Sequence, residues 1–154
     1  MGRNPIGEIG LCVPERMTLK VMQELSERNP FLECASRASQ GLRCALIDQS
    51  DNFRAIWDVV DYLKFKPMKV FLEELLPCAY ATHDSEPFKW IITRLHIPIV
   101  TNDLAKYLWE KSEMNLKVGR IYAVDPLIPY RLSNEGFTGR LHLVIDVNMD
   151  DWKL

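Results

Sequence analysis

The sequence predicts an α+β domain that is mainly β, in which N-terminal helices cover a compact β-barrel. Two stretches within residues 1–66 carry apolar residues at helical spacing. After residue 66, short apolar segments recur about every 8–12 residues with turn residues between them, as in sandwiches and barrels. With 154 residues, 47% of them hydrophobic and 26% charged, the chain has the length and composition of one folded unit. We therefore expect a single domain over residues 1–154, with a helical and strand cover (1–66) and a β-barrel core (67–150).

The N-terminal part is predicted to hold two helices and a strand. Pro14 suits the first turn of a helix over residues 14–28, which the Asn-Pro pair at 29–30 ends. Residues 42–47 are typical of a strand, and the intervening segment is ambiguous. The second helix, residues 52–65, has apolar residues in steps of three and four, which should pack one face on the core. These residues are Phe53, Ile56, Trp57, Val60 and Leu63.

Six segments of the C-terminal part are predicted strands. They span residues 69–72, 90–100, 107–109, 119–124, 130–132 and 140–147. Turn signals at residues 102–103, 134–136 and 138–139 separate them. The regular alternation of strands and turns is what favours a barrel.

Composition and the N-terminus exclude several classes of protein. The net charge is −2 and no basic run occurs, so nucleic-acid binding is not expected. The N-terminus lacks the apolar core of a secretory signal, and no window is apolar enough to span a membrane. The four cysteines show no C-x-x-C spacing, so we expect reduced thiols in a cytoplasmic protein rather than a zinc site.

The triplet Arg-Leu-His occurs twice, at residues 94–96 and 140–142. Residues i and i+2 of a strand share a face, so each triplet directs an Arg and a His to the same side. Two such pairs are hard to bury unless an anion neutralises them, and a carboxylate suits an arginine fork. The alternative is that they are rim arginines and hydrogen-bonded core histidines.

Two stretches resemble a known family. TRLHIPIVTND (93–103) and VGRIYAVDPLIPYRLSNEGFTGRLHLVIDV (118–147) are similar to the aspartyl/asparaginyl β-hydroxylase and proline hydroxylase family, over roughly half of the chain. Its members are 2-oxoglutarate- and Fe(II)-dependent oxygenases. The resemblance implies a double-stranded β-helix, a cupin-like jelly roll, with the N-terminal helices packed outside the barrel.

The resemblance also implies a cofactor-binding set. Arg140 matches the arginine that holds the far carboxylate of 2-oxoglutarate, and Arg94 with His96 matches an R-x-H pair that contacts its other end. The ligand implied is therefore 2-oxoglutarate or another small dicarboxylate.

The implied iron site is altered. The proximal ligand pair falls at His83 and Asp84, but Thr82 stands where the family has its first His, and adjacent strand residues face opposite sides. Tyr130, ten residues before Arg140, replaces the distal His. A neutral phenol is a poor Fe(II) ligand, so the sequence predicts that Fe(II) binding is lost.

Three functions follow from these departures. The first is a catalytically degenerate oxygenase-like barrel that binds a small dicarboxylate or a protein partner. The second is an active hydroxylase of an amino-acid or protein side chain with an altered iron site. The third is a non-enzymatic interaction scaffold, because fold does not fix function. The oligomeric state is left open.

Two acidic sites are interpreted as surface features. The pair Glu73 and Glu74 is taken as solvated charge at a strand edge, and Asp146 is grouped with the acidic residues that follow the last strand.

Overall fold

A computed structural model describes residues 6–28, 36–38, 41–46, 52–83, 92–125 and 127–148. Within them lie two helices, α1 (Glu15–Glu27) and α2 (Arg54–Leu63). The strands are β1 (Ile6–Cys12), β2 (Ser36–Ala38), β3 (Gly41–Ala45), β4 (Pro67–Leu75), β5 (Ala79–His83), β6 (Ile92–Val100), β7 (Ala105–Trp109), β8 (Ser112–Met114), β9 (Arg120–Val124), β10 (Tyr130–Asn134) and β11 (Arg140–Asn148).

The strands form two antiparallel sheets. The large sheet has the order β1-β9-β6-β11-β4-β3-β2, and the small sheet has the order β5-β10-β7-β8. Residues far apart in the chain become neighbours, since β11 lies between β4 and β6. This is the double-stranded β-helix that the sequence predicts, with helices on the outside.

Strand alternation divides the large sheet into two faces. On β11 the odd-numbered residues from Leu141 to Val147 join β6 and the helices in one apolar cluster. The even-numbered residues of β11, from Arg140 to Asp146, lie on the opposite face, which the small sheet covers. All eight residues from 140 to 147 are buried, so this strand has helices on one side and the barrel interior on the other.

The two helices pack against the outer face of the large sheet. Helix α2 buries Ile56, Val59, Val60 and Leu63, at the spacing that the sequence predicts. It ends at Lys64, whose positive φ of 58° gives a left-handed cap. No helix in the described part of the chain is long and apolar enough to cross a bilayer.

Most predicted elements are confirmed, with boundary shifts of a few residues. Strands β1, β5 and β8 were not predicted, and β2 lies in the segment that the sequence left ambiguous. Strand β1 has only Ile6 fully buried, so it lacks the alternation that marks a half-buried strand. Residues 47 and 90–91, at the ends of two predicted strands, lie outside the described residues.

The N-terminal region does more than cover the barrel. Strand β1 pairs with β9, and β3 pairs with β4, so residues before 67 extend the large sheet at both edges. The expectation of four reduced cysteines is wrong for Cys44, which is disulfide-bonded, whereas Cys12 and Cys78 are free.

Candidate functional site

Arg94 lies in the barrel interior with its own counter-ion. Its Nε donates to Asp146 Oδ1 at 2.8 Å and its Nη2 donates to Asp146 Oδ2 at 3.2 Å, which is a two-point ion pair. Both side chains are almost fully buried. The guanidinium also lies over the ring of Phe71, 5.4 Å from its centroid. The interpretation of Asp146 as a surface carboxylate is therefore wrong.

Arg140 is also neutralised by a buried carboxylate, that of Glu73. Its Nη2 donates to Glu73 Oε1 at 2.7 Å, and its Nη1 contacts Nδ1 of His142. Glu73 is only 1% exposed, so its interpretation as solvated edge charge is wrong, whereas Glu74 is half-buried. An external anion is not needed to bury either arginine, because the chain supplies two carboxylates.

The two histidines of the Arg-Leu-His triplets meet in the interior. His96 Nδ1 and His142 Nδ1 are 3.0 Å apart, and both residues are buried. Arg140 can only donate, so His142 Nδ1 is the acceptor and the proton of the neutral ring is assigned to Nε2. Burial, Arg140 and His96 together hold the pKa of His142 well below its usual value, which keeps the ring neutral.

Tyr130 occupies the expected distal-ligand position. Its backbone lies directly opposite His83 in the pairing of β10 with β5, so the structure brings these two predicted positions side by side. The phenol is 4% exposed and stacks on Tyr107, with ring centroids 4.4 Å apart. Burial, followed by the neighbouring Tyr130, raises the pKa of Tyr107 well above its usual value. This part of the interior is filled by the two aromatic rings.

The described residues do not fit a two-His, one-carboxylate iron centre. Such a centre needs three ligands on one face and open positions for the substrates. Among the residues that the structure describes, no three His, Cys, Asp or Glu side chains come together to hold a metal. Of the three positions that the resemblance implies as ligands, Tyr130 carries a phenol, and Asp84 lies outside the described residues.

A small cavity lies beside Arg140 and His142. It has a free volume of about 10 Å³, room for about one water molecule. Thr101, Tyr107, Arg140 and His142 all line it, together with less polar residues. Three of them carry a buried polar atom without a hydrogen-bond partner among the described residues, namely Thr101 Oγ1, Arg140 Nε and His142 Nε2. The side chain of Tyr107 is hydrogen-bonded to Tyr130.

Sequence reasoning named the arginines and missed their carboxylates, although a signal was present. Asp146 is six residues from Arg140 on one strand, and an even spacing places both on the same face. Glu73 alternates with Phe71 and Leu75 in β4, which likewise predicts an inward side chain. The two-residue period of a strand would therefore have placed both carboxylates on the inward face. They were assigned to the surface because of their charge alone.

Comparisons with known proteins agree with the fold. No protein-family model matches the sequence, and no curated protein is similar to it at a significant level. Among solved structures, a prolyl-4-hydroxylase from Pseudomonas putida superposes with a TM-score of 0.63 at 12% identity, covering 94% of this chain and 92% of that protein. The non-heme monooxygenase ThoJ, in a nickel complex, gives 0.59 at 13% identity, covering 94% and 74%.

A third structure extends this agreement. An oxidoreductase of the 2OG-Fe(II) oxygenase family from Burkholderia pseudomallei gives a TM-score of 0.55 at 9% identity, covering 86% of this chain and 79% of that protein. The chain therefore shares the fold of these three oxygenases. Its described interior holds two buried ion pairs and a pair of tyrosine rings in contact.

Proposed function

We infer that this chain is a non-catalytic binding barrel with the oxygenase fold. The observation that carries this proposal is the position of Tyr130, buried on Tyr107 and directly across from His83. A phenol with an ordinary pKa near 10 stays protonated at neutral pH and binds Fe(II) weakly. Filling the metal position with a neutral, stacked ring removes both a ligand and the space that the metal would need.

Membership in the aspartyl/asparaginyl β-hydroxylase and proline hydroxylase family stays a proposal within the wider superfamily. The Arg-Leu-His triplets and Arg140 support it. The alternative, an active hydroxylase with an altered iron site, would need His83 and Asp84 to act without the second His. We favour the non-catalytic function because Tyr130 lies opposite His83 in the register of β10 with β5.

Turnover of 2-oxoglutarate tests the proposal. Purified protein with Fe(II) and 2-oxoglutarate should release no succinate above a protein-free control. Tyr130→His should increase metal retention, since it restores an imidazole across from His83, and Tyr130→Phe should not. Succinate release by the wild-type chain, abolished by His83→Ala, would overturn the proposal.

The two buried ion pairs affect how tightly the barrel can bind a dicarboxylate. Arg94 and Arg140 are the residues that the sequence predicts to bind a dicarboxylate with His96, yet Asp146 and Glu73 already neutralise the two arginines. 2-Oxoglutarate would have to displace a buried carboxylate, so we expect it to bind weakly. Calorimetric titration of the metal-free protein with 2-oxoglutarate measures this. Tight binding that is lost in Arg140→Ala would restore the dicarboxylate function.

An interaction scaffold is a second candidate. Leu19, Met22 and Tyr62 of the two helices are each at least 40% exposed. A groove of about 230 Å³ between the helices is lined by Met17, Tyr62 and basic residues of α1. Concentration-dependent sedimentation that Met22→Asp shifts to monomer would support self-association through this face, whereas a wild-type monomer at all concentrations would count against it.

A further inference from the structure

We propose that copies of this chain associate head to tail, with Phe137 of one copy inserted into the groove between α1 and α2 of the next copy. The proposal rests on the interaction-scaffold candidate and deepens it, because it names the segment that docks and the surface that receives it. Two separate features carry it. One is an exposed aromatic ring at one end of the barrel, and the other is the groove between the helices outside the large sheet.

Phe137 is the most exposed large apolar residue in the described part of the chain. It lies in the turn between β10 and β11, and its side chain is 97% exposed. Side-chain amides hold this turn, because Asn102 Nδ2 and Asn134 Nδ2 donate to Thr138 O at 3.0 and 2.9 Å. Asn134 Oδ1 also accepts from Gly136 N at 3.1 Å. An aromatic ring on such a pre-organised turn loses little conformational entropy on binding, which suits it as an interface anchor.

The surroundings of Phe137 are acidic. Glu135 lies two residues earlier in the same turn, and its backbone N–H donates to Leu104 O of the neighbouring turn at 3.2 Å. Asp103 precedes Leu104, and both acidic residues are exposed. Neither carboxylate has an ion-pair partner within the described ranges. The ring is therefore flanked by negative charge, which favours a partner surface that combines an apolar recess with basic side chains.

The groove between α1 and α2 has this complementary character. Met17 and Tyr62 line it with apolar and aromatic surface. Arg16 and Lys20 also line it and lie one helical turn apart on α1, and neither has an ion-pair partner in the part of the chain that the structure describes. Asp58 is the one carboxylate among the lining residues, so two cations oppose one anion. The groove therefore carries a net positive charge.

The groove is also large enough for one aromatic ring. Its free volume is about 230 Å³. An apolar cavity of about 150 Å³ takes up a benzene molecule, so the side chain of Phe137 fits. Because the turn and the groove are different surfaces, the contact is heterologous and leaves each pair of copies with one free turn and one free groove. Such a contact builds rings or filaments rather than a closed dimer.

Sedimentation of the purified chain at micromolar to millimolar concentrations tests the association. The average mass of the wild type should rise with concentration beyond that of a dimer. Phe137→Asp should weaken the association at least about thirtyfold, the loss typical of a buried aromatic anchor. Met68→Asp is the matched control, because Met68 is an exposed apolar residue (48%) at the other end of β4 and should leave the association unchanged.

Two outcomes of this experiment would overturn the proposal. A wild type that stays monomeric at every concentration would remove self-association altogether. Association that Phe137→Asp does not weaken would show that another surface carries it, while the interaction scaffold itself would stand. Neither outcome changes the succinate assay, so the non-catalytic function is judged separately.

Complementary variants test the direction of the contact. Arg16→Glu/Lys20→Glu reverses the charge of the groove and should abolish self-association. Lys66→Glu/Lys111→Glu changes the net charge equally at exposed lysines outside the groove lining and should have little effect. The Phe137→Asp chain keeps its groove, and the Arg16→Glu/Lys20→Glu chain keeps its Phe137. Their equimolar mixture should therefore form one-to-one complexes that grow no further. No complex in the mixture, or growth beyond two chains, would contradict a head-to-tail contact.

Discussion

At the scale of single residues, the interior depends on two arginine–carboxylate pairs. Removing one partner of a buried pair leaves an uncompensated charge, which is far more costly than losing the pair itself. Both pairs here are almost fully excluded from solvent. The two carboxylates therefore allow Arg94 and Arg140 to be buried in the barrel without a bound dicarboxylate.

Asp146→Asn tests this at the residue scale. We expect a destabilisation of about 3–5 kcal/mol, because Arg94 keeps its charge and loses its counter-ion. Denaturant unfolding measures the change. Glu8→Gln, which disrupts the exposed pair between Arg120 and Glu8, is the control and should leave the unfolding midpoint unchanged. A midpoint that Asp146→Asn does not lower would contradict the structural role of this pair.

His142 gives the fold a predicted pH dependence. Its pKa in the folded state lies well below the unfolded value of about 6.5, so the unfolded chain binds more protons as the pH falls. Its contribution to stability is complete above about pH 6.5 and is lost as the pH falls below that value. Between pH 7 and pH 5.5 we expect a loss of about 1 kcal/mol from this group.

The variant His142→Asn tests the assignment of that dependence. The Asn carbonyl oxygen can take the place of Nδ1 as acceptor for Arg140 but does not titrate in this range. Unfolding free energies measured between pH 7.5 and pH 5.5, above the range of ordinary carboxyl groups, should fall more steeply for the wild type than for the variant. Equal slopes for both proteins would show that another group carries the dependence.

At the scale of elements, the first turn of α2 obtains its cap from α1. Phe53 precedes the helix and offers no capping side chain, but Glu24 Oε2 accepts a hydrogen bond from the backbone N–H of Ala55 at 3.2 Å. A carboxylate near the N-terminus of α2 also interacts favourably with the positive end of the helix dipole. The contact therefore joins the two helices that cover the large sheet.

Glu24→Ala should destabilise the fold by about 1 kcal/mol, which is typical for the loss of a helix cap. Glu27→Ala is the matched control, because Glu27 is an exposed glutamate on the same helix. Thermal unfolding compares the two variants. If both lower the melting temperature equally, helix propensity of α1 and not the cap explains the effect.

Strand and helix periods allowed most elements to be predicted, and they failed where the pattern was weak. Strand β11 is apolar enough to be recognised at once, whereas β1 and β8 expose most of their side chains. The Arg-Leu-His triplets located Arg94 and Arg140 correctly in the interior. Their partners Glu73 and Asp146 were missed because a carboxylate is usually exposed, although the two-residue period of the strands places both on the inward face.

At the scale of the whole molecule, a shared fold does not imply shared chemistry. The chain shares its fold with 2-oxoglutarate–Fe(II) oxygenases and pairs Tyr130 with His83 at the expected register. Strand pairing in two sheets and an outer apolar cluster build this fold from the chain's own residues. Such a barrel is compatible with the proposed loss of iron chemistry, as fold alone does not determine activity.

The central claim is that Tyr130 removes the iron site, and metal stoichiometry tests it most directly. Wild-type protein dialysed anaerobically against Fe(II), and in parallel against Mn(II), is passed through a desalting column and analysed for metal. We expect far less than one metal per wild-type chain and a higher value for Tyr130→His. One metal per wild-type chain, retained in Tyr130→Phe and lost in His83→Ala, would contradict it.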